Sequence, residues 1–152
     1  MGKSYRVLLV DDFAPFRRFM RSTLQAEPDL VLIDDACDGL EAVQKARDLQ
    51  PDLILLDIGL SDLNGIEAAR LIRQLRPESK ILFLSAYRSW DLAEAVLRSG
   101  ASGPIVKSDT VIELPHAVES ALKGKRFVSS SLANHSEEGV QIAGHHGVGF
   151  YF

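Results

Sequence analysis

A single cysteine, Cys37, stands in 152 residues, so no internal disulfide can staple this chain. None is needed, because a domain of this size buries roughly two-thirds of its unfolded surface. A lone thiol also fits a reducing compartment. No apolar run approaches the about 20 residues of a membrane-spanning helix. Met1-Gly2-Lys3-Ser4-Tyr5-Arg6 leads straight into an apolar strand rather than a signal-peptide core, so a cytoplasmic protein without membrane contact is expected. Excess positive charge is missing too: 17 Lys and Arg face 21 Asp and Glu, for a net charge of −4. The chain as a whole therefore has no electrostatic reason to bind nucleic acid. It has no glycine-rich phosphate loop of the Walker type, which disfavours nucleotide-dependent roles, and neither internal repeats nor a long low-complexity tract.

What the chain does have is five short apolar runs, each ending on a polar residue. Val7-Leu8-Leu9-Val10 ends on Asp11-Asp12, Leu30-Val31-Leu32-Ile33 on Asp34-Asp35, Leu53-Ile54-Leu55-Leu56 on Asp57, Ile81-Leu82-Phe83-Leu84 on Ser85, and Ile105-Val106 on Lys107. Between them the apolar residues recur with helical spacing, grouping Phe16, Phe19, Met20 and Thr23, then Leu40, Val43 and Ala46, then Ile66, Ala69 and Ile72, then Leu92, Ala95, Val96 and Ser99. Pro15 suits a first helical turn, and Gly100 and Gly124 suit helix ends. Asp38 with Glu41, Asn64 with Glu67, and Thr110 with Glu113 have capping-box spacing. Continuous rather than alternating apolar strands imply a parallel sheet covered on both faces. The expected fold is α/β: a doubly wound, five-stranded parallel sheet of order 2-1-3-4-5. Pro104 would be tolerated in an edge strand, whereas Pro115 predicts a distorted or late-starting last helix.

In that order the polar endings Asp11, Asp12, Asp57, Ser85 and Lys107 surround one crevice, and Asp34-Asp35 fall on the far edge, where they read as a solvated turn. His116 reads as helix surface. Three clustered carboxylates raise one another's pKa unless a cation neutralises them. A hard divalent ion does so with oxygen ligands, and Mg²⁺ commonly combines one or two carboxylates with waters and a phosphate oxygen. The plain alternative is an acidic turn beside a structural lysine.

Asp11-Asp12, Asp57, Ser85-Ala86 and Lys107, each after its strand, together closely resemble the receiver domain of two-component response regulators. Leu63-Asn64-Gly65-Ile66-Glu67 resembles the receivers' loop into the third helix, and Gly100-Ala101-Ser102-Gly103 their approach to the fifth strand. The resemblance covers roughly residues 4–125 and implies a flavodoxin-like fold, with a receiver domain at 1–125 and a linker-like tail, disordered or docked, at 126–152. It implies that Asp57 is the phosphoacceptor, a carboxylate nucleophile taking a phosphoryl group from a histidine kinase. Asp11, Asp12, Asp57 and the backbone carbonyl of Gly59 would hold Mg²⁺ (or Mn²⁺). Lys107 would pair with one phosphoryl oxygen, and Ser85 and the Ala86 amide would bond the others and carry the switch. The chain would then be no enzyme beyond its own phosphotransfer and dephosphorylation. Its partners would be a sensor histidine kinase, an unknown downstream protein and, as the family allows, a second copy in a phosphorylation-dependent homodimer.

The sequence also departs from the receiver pattern. The switch aromatic usual three residues before the fifth-strand lysine is Pro104 here, so Tyr87, Trp90 or Phe83 is the candidate moving ring. Ser108 after Lys107, and Gly124-Lys125-Arg126-Phe127-Val128-Ser129, resemble the NarL/FixJ subfamily, whose members continue into a helix-turn-helix domain. The residues after Arg126 contain no lysine or arginine and are too few for such a domain, so no direct DNA binding is expected. Either a single-domain receiver or a transcription regulator that lost its output fits. Gly147–Phe152 are apolar enough to dock, and His135, His145 and His146 read as incidental. Two other classes remain. A phosphatase of the haloacid-dehalogenase kind would need an aspartate two positions after the first, which Val10-Asp11-Asp12-Phe13 lacks. A binding module that no longer uses phosphate would explain Pro104.

Overall fold

A computed structural model describes residues 3–127 and residue 129 of the chain. In chain order the strands are β1 (Tyr5–Val10), β2 (Leu30–Ala36), β3 (Leu53–Asp57), β4 (Lys80–Ser85) and β5 (Ser102–Val106). The helices are α1 (Ala14–Gln25), α2 (Gly39–Leu49), α3 (Gly65–Leu75), α4 (Trp90–Ser99) and α5 (Thr110–Leu122). The strands pair in parallel in the order β2-β1-β3-β4-β5, as the apolar runs require. Side chains alternate between two cores. Leu8, Val10, Ile54, Leu56, Ile81 and Phe83 meet Ala42 and Ala46 of α2, Ala68 and Ile72 of α3, and Val96 of α4. Val7, Leu9, Leu53, Leu55, Leu82 and Leu84 meet Met20 and Leu24 of α1 and Leu114, Ala117 and Val118 of α5. Each fully buried aliphatic contributes roughly 1.5–3 kcal/mol, which fixes strand order and brings Asp11, Asp57, Ser85 and Lys107 to one edge.

Two extra residues disturb the ladders. The β1–β2 register steps from Val7↔Leu32 to Leu8↔Asp34, so β2 continues through Asp34 and Asp35 to pair Ala36 with Val10. The second acidic pair is thus strand rather than solvated turn. Lys45 lies 3.1 Å from Asp34 and Arg21 2.6 Å from Asp35, and these cations make the acidic strand end tolerable. The β4–β5 register steps from Leu82↔Ser102 to Leu84↔Ile105, leaving Gly103 and Pro104 opposite Phe83 alone. A bulge in an edge strand is where a residue without an N–H fits.

The helix signals hold at three starts and fail at one. Pro15 lies in the first turn of α1, Asp38 accepts from the Glu41 amide at 2.8 Å, and Asn64 accepts from the Glu67 amide at 2.9 Å. Thr110 does not cap: it is the first residue of α5, and its hydroxyl donates to the Lys107 carbonyl at 2.7 Å. A 3-10 turn, Lys107–Asp109, leads into α5, which starts at Thr110 and runs on through Pro115 to Leu122. The expected late start is therefore corrected. Val111, whose carbonyl loses its helical partner to Pro115, is exposed, so water can satisfy that carbonyl. Two helix faces are corrected as well. Leu40 is exposed and α2 buries Gly39, Ala42 and Ala46, while Phe19 is exposed and α1 buries Met20 and Leu24.

The chain leaving α5 turns at Gly124 and lies along the free edge of β5. The Gly103 amide donates to the Phe127 carbonyl at 2.8 Å, and the Ser129 amide to the Pro104 carbonyl at 3.3 Å. The Ser102 hydroxyl donates to the Lys125 carbonyl at 2.9 Å. Phe127 is buried in the α1/α5 core and meets His116 edge-on, giving that histidine a packing role. The buried Ser129 hydroxyl donates to Glu113, with Asp109 at 3.3 Å. Val128 and residues 130–152, with His135, His145, His146 and the 147–152 segment, lie outside the described residues.

Candidate functional site

Where β1 ends, Asp11 is fully buried and shaped by its own loop: its Oδ1 accepts from the Phe13 amide at 2.8 Å, and its backbone carbonyl accepts from Arg17 at 2.7 Å. Asp12 is exposed beside it. Asp57 closes β3 and is buried, with its Oδ1 accepting from the Gly59 amide at 3.1 Å. One carboxylate oxygen from each of Asp11, Asp12 and Asp57 lies within 4.8 Å of the others. Lys107 reaches into this cluster from the end of β5, its Nζ 2.6 Å from Asp11 Oδ2 and 3.5 Å from Asp57 Oδ2.

Burial pushes the Asp57 carboxyl above the ordinary carboxylate range, and the Asp11 charge adds to this, against the lowering influence of Lys107 and the Gly59 amide. Asp11 Oδ2 is buried and, for all its closeness to the ammonium, receives no well-directed hydrogen bond. A crowded acidic cluster with an under-satisfied oxygen fits a hard divalent cation better than it fits a lone lysine.

Ser85 ends β4 and is turned onto its own loop. Its hydroxyl donates to the Tyr87 carbonyl at 2.9 Å and accepts from the Tyr87 amide at 3.1 Å. Ala86 is exposed at the rim, and Gly59 faces it from the β3 side, both lining a cavity of about 770 Å³ with Asp12, Asp57, Ser85 and Lys107. The sequence-predicted site residues thus meet in one place. Of the three candidate moving rings, Phe83 is locked in the core, Trp90 packs on Ala93 and Val106, and Tyr87 stands exposed at the cavity wall.

Sequence reasoning missed the aromatic side of this cavity. Phe13, Phe16 and Phe19 line it, and the Phe16 ring lies under the Lys107 ammonium, 4.5 Å from Nζ to the ring centre. Helical spacing groups Phe16 and Phe19 on one face with Met20 and Thr23 and does not say that the first turn borders a cavity. The usable signal was three phenylalanines at three-residue intervals starting directly after Asp12.

Gly65 explains how the next loop comes so close. A Cβ there would stand 2.7 Å from Ile58 Cα and closer still to the Asp57 carbonyl. Only a residue without a side chain lets α3 begin against the end of β3. Asp62 anchors the same loop to the start of α2, accepting from the Gly39 and Leu40 amides at 2.8 and 3.2 Å.

Comparison with known proteins agrees with this geometry. The sequence profile of the response regulator receiver domain matches residues 7–119. The transcriptional regulatory protein LiaR of Bacillus subtilis (strain 168) is 34% identical over 128 residues, which cover 84% of this chain and 61% of LiaR. The response regulator UvrY of Escherichia coli (strain K12) is 30% identical over 127 residues, 84% of this chain and 58% of UvrY. The chain thus spans about three-fifths of the length of these curated relatives. Among solved structures, a LuxR-family two-component response regulator from Aurantimonas sp. SI85-9A1 superposes with a TM-score of 0.84 at 33% identity, covering 91% of this chain and 99% of that one.

Proposed function

The chain belongs to the response regulator receiver family, and from that premise we propose that it takes a phosphoryl group from a sensor histidine kinase onto Asp57 and passes the signal on by a change of surface. The observation that supports this most is the buried Asp57 carboxylate with Asp11, Asp12 and Lys107 around it at the mouth of an open cavity. An Asp57 carboxylate oxygen attacks phosphorus while the bond from phosphorus to the histidine nitrogen breaks, and the imidazole leaves with that electron pair. Asp57 must be ionised to attack, and the Lys107 ammonium offsets part of what burial imposes on it. The phosphoryl oxygens would meet Lys107, the Ser85 hydroxyl and the Ala86 amide. Mg²⁺, or Mn²⁺, held by Asp11, Asp12, Asp57 and the Gly59 carbonyl, would neutralise charge on the transferring group.

The switch follows from the bonds Ser85 makes to Tyr87. Phosphorylation adds about −1.5 to −2 charge and strong acceptor oxygens at Asp57, so Ser85 gains by leaving the Tyr87 carbonyl for the phosphoryl group. That releases the β4–α4 loop, where Arg88 lies 3.5 Å from Asp109. The ligand shifts the equilibrium by this difference in affinity alone. The chain has no other turnover in this reading and acts in the cytoplasm. It hands its signal to a downstream protein or to a second copy in a phosphorylation-dependent homodimer, without a DNA contact from the described residues. Incubation with acetyl phosphate and Mg²⁺ should add the mass of one phosphoryl group to the wild type and none to Asp57→Ala. A phosphorylated Asp57→Ala protein would overturn the assignment.

A further inference from the structure

We propose that Phe16 is a positioning residue for Lys107, one that keeps the ammonium over the phosphoacceptor when a divalent cation occupies the acidic cluster. The inference rests on the reading of Asp57 given above and adds a residue to it. The Lys107 Nζ is held by Asp11 Oδ2 at 2.6 Å, Asp57 Oδ2 at 3.5 Å and the Phe16 ring face at 4.5 Å. Both anions belong to the cluster that would bind the cation. A dication coordinated there draws on the same carboxylate charge and repels the ammonium, so the two ion pairs weaken just when phosphoryl transfer requires Lys107 in place.

The ring is not subject to that competition. Its attraction for an ammonium comes from its quadrupole, and it offers no ligand atom to a hard metal ion. Phe16 is also fixed in place. It packs on the α1/α5 core, lies 5.8 Å from the Phe19 ring, and follows Pro15 in the first turn of α1. Arg17, its neighbour, ties that turn to the Asp11 carbonyl. The support for Lys107 is thus built into the loop that carries the acidic pair. Without it, a long flexible side chain that is already partly open to solvent can swing outward.

The test compares Phe16→Leu, which keeps apolar bulk but loses the ring, with Phe16→Tyr, which keeps the ring. With saturating Mg²⁺ and acetyl phosphate, Phe16→Leu should be phosphorylated about five- to tenfold more slowly, and Phe16→Tyr at close to the wild-type rate. Independently, the Lys107 ε-methylene protons should show an upfield ring-current shift in the wild type that persists on adding Mg²⁺ alone and is missing in Phe16→Leu. Equal rates for wild type and Phe16→Leu, or loss of the ring-current shift in the wild type on adding Mg²⁺, would overturn the inference. A wild type that takes no phosphoryl group would sink the functional reading instead, and the Mg²⁺ titration would still decide the position of Lys107.

Discussion

Asp57 carries its charge at a cost that depends on pH. Its folded pKa is raised by burial above the ordinary value near 3.9. Between the unfolded and folded values the native state holds a proton that the unfolded state has lost, so stability falls as pH rises through that window. Above the folded value the loss is complete and constant. In metal-free protein, Asp57→Asn should therefore raise stability at neutral pH. The gain should disappear as pH falls below about 4, and urea midpoints at the two pH values would measure it. Gly65→Ala acts at the same place by a different route, because its Cβ would meet Ile58 Cα at 2.7 Å and press on the Asp57 carbonyl. It should cost about 1–3 kcal/mol in denaturation and slow phosphoryl uptake at least tenfold. Asp11, Asp12, Asp57, Ser85 and Lys107 were legible in the sequence because each follows an apolar strand, and a parallel sheet sends all such endings to one edge. Phe16 was not, because helical spacing says that a face is apolar but not whether its first turn covers core or cavity.

At the scale of elements, the free edge of β5 is the exposed liability of this fold, and the segment after Gly124 covers it. The Gly103 amide and Pro104 carbonyl are bonded to Phe127 and Ser129, so all of β5 is buried although it is an edge strand. Phe127→Ala should cost about 3 kcal/mol and speed hydrogen exchange at the Gly103 amide more than at amides of β1. An unchanged Gly103 rate would mean that the segment contributes no cover. The sequence read as a tail here because three serines and a falling charge density carry no strand period; one buried aromatic and a few backbone bonds are enough to dock it. The bulges are invisible for a similar reason: Ile33 and Gly103 look like ordinary strand residues until a partner strand sets the register. Pro115 does not delay the start of α5 because a lost helical bond is costly only where water cannot replace it, and Val111 is exposed.

For the whole molecule, the doubly wound sheet is what converts five separated sequence positions into one electrostatic site. Two cores fill its faces, so the chemistry is confined to the edge where Asp57 opens into the cavity. The Ser85 loop and the 3-10 turn carrying Lys107 lie on that edge, and Asp109 of this turn reaches both Arg88 and Ser129. A charge change at Asp57 is therefore one turn of chain away from the β4–α4 loop and from the segment along β5. The central claim, that Asp57 is the nucleophile, is tested most directly by locating the acyl phosphate. After incubation with acetyl phosphate and Mg²⁺, borohydride reduction converts a phosphorylated aspartate to homoserine, which a peptide digest places in the chain. The account predicts homoserine at position 57, in the wild type only and only when Mg²⁺ is present. Homoserine at position 11 or 12, or at no position, would contradict it.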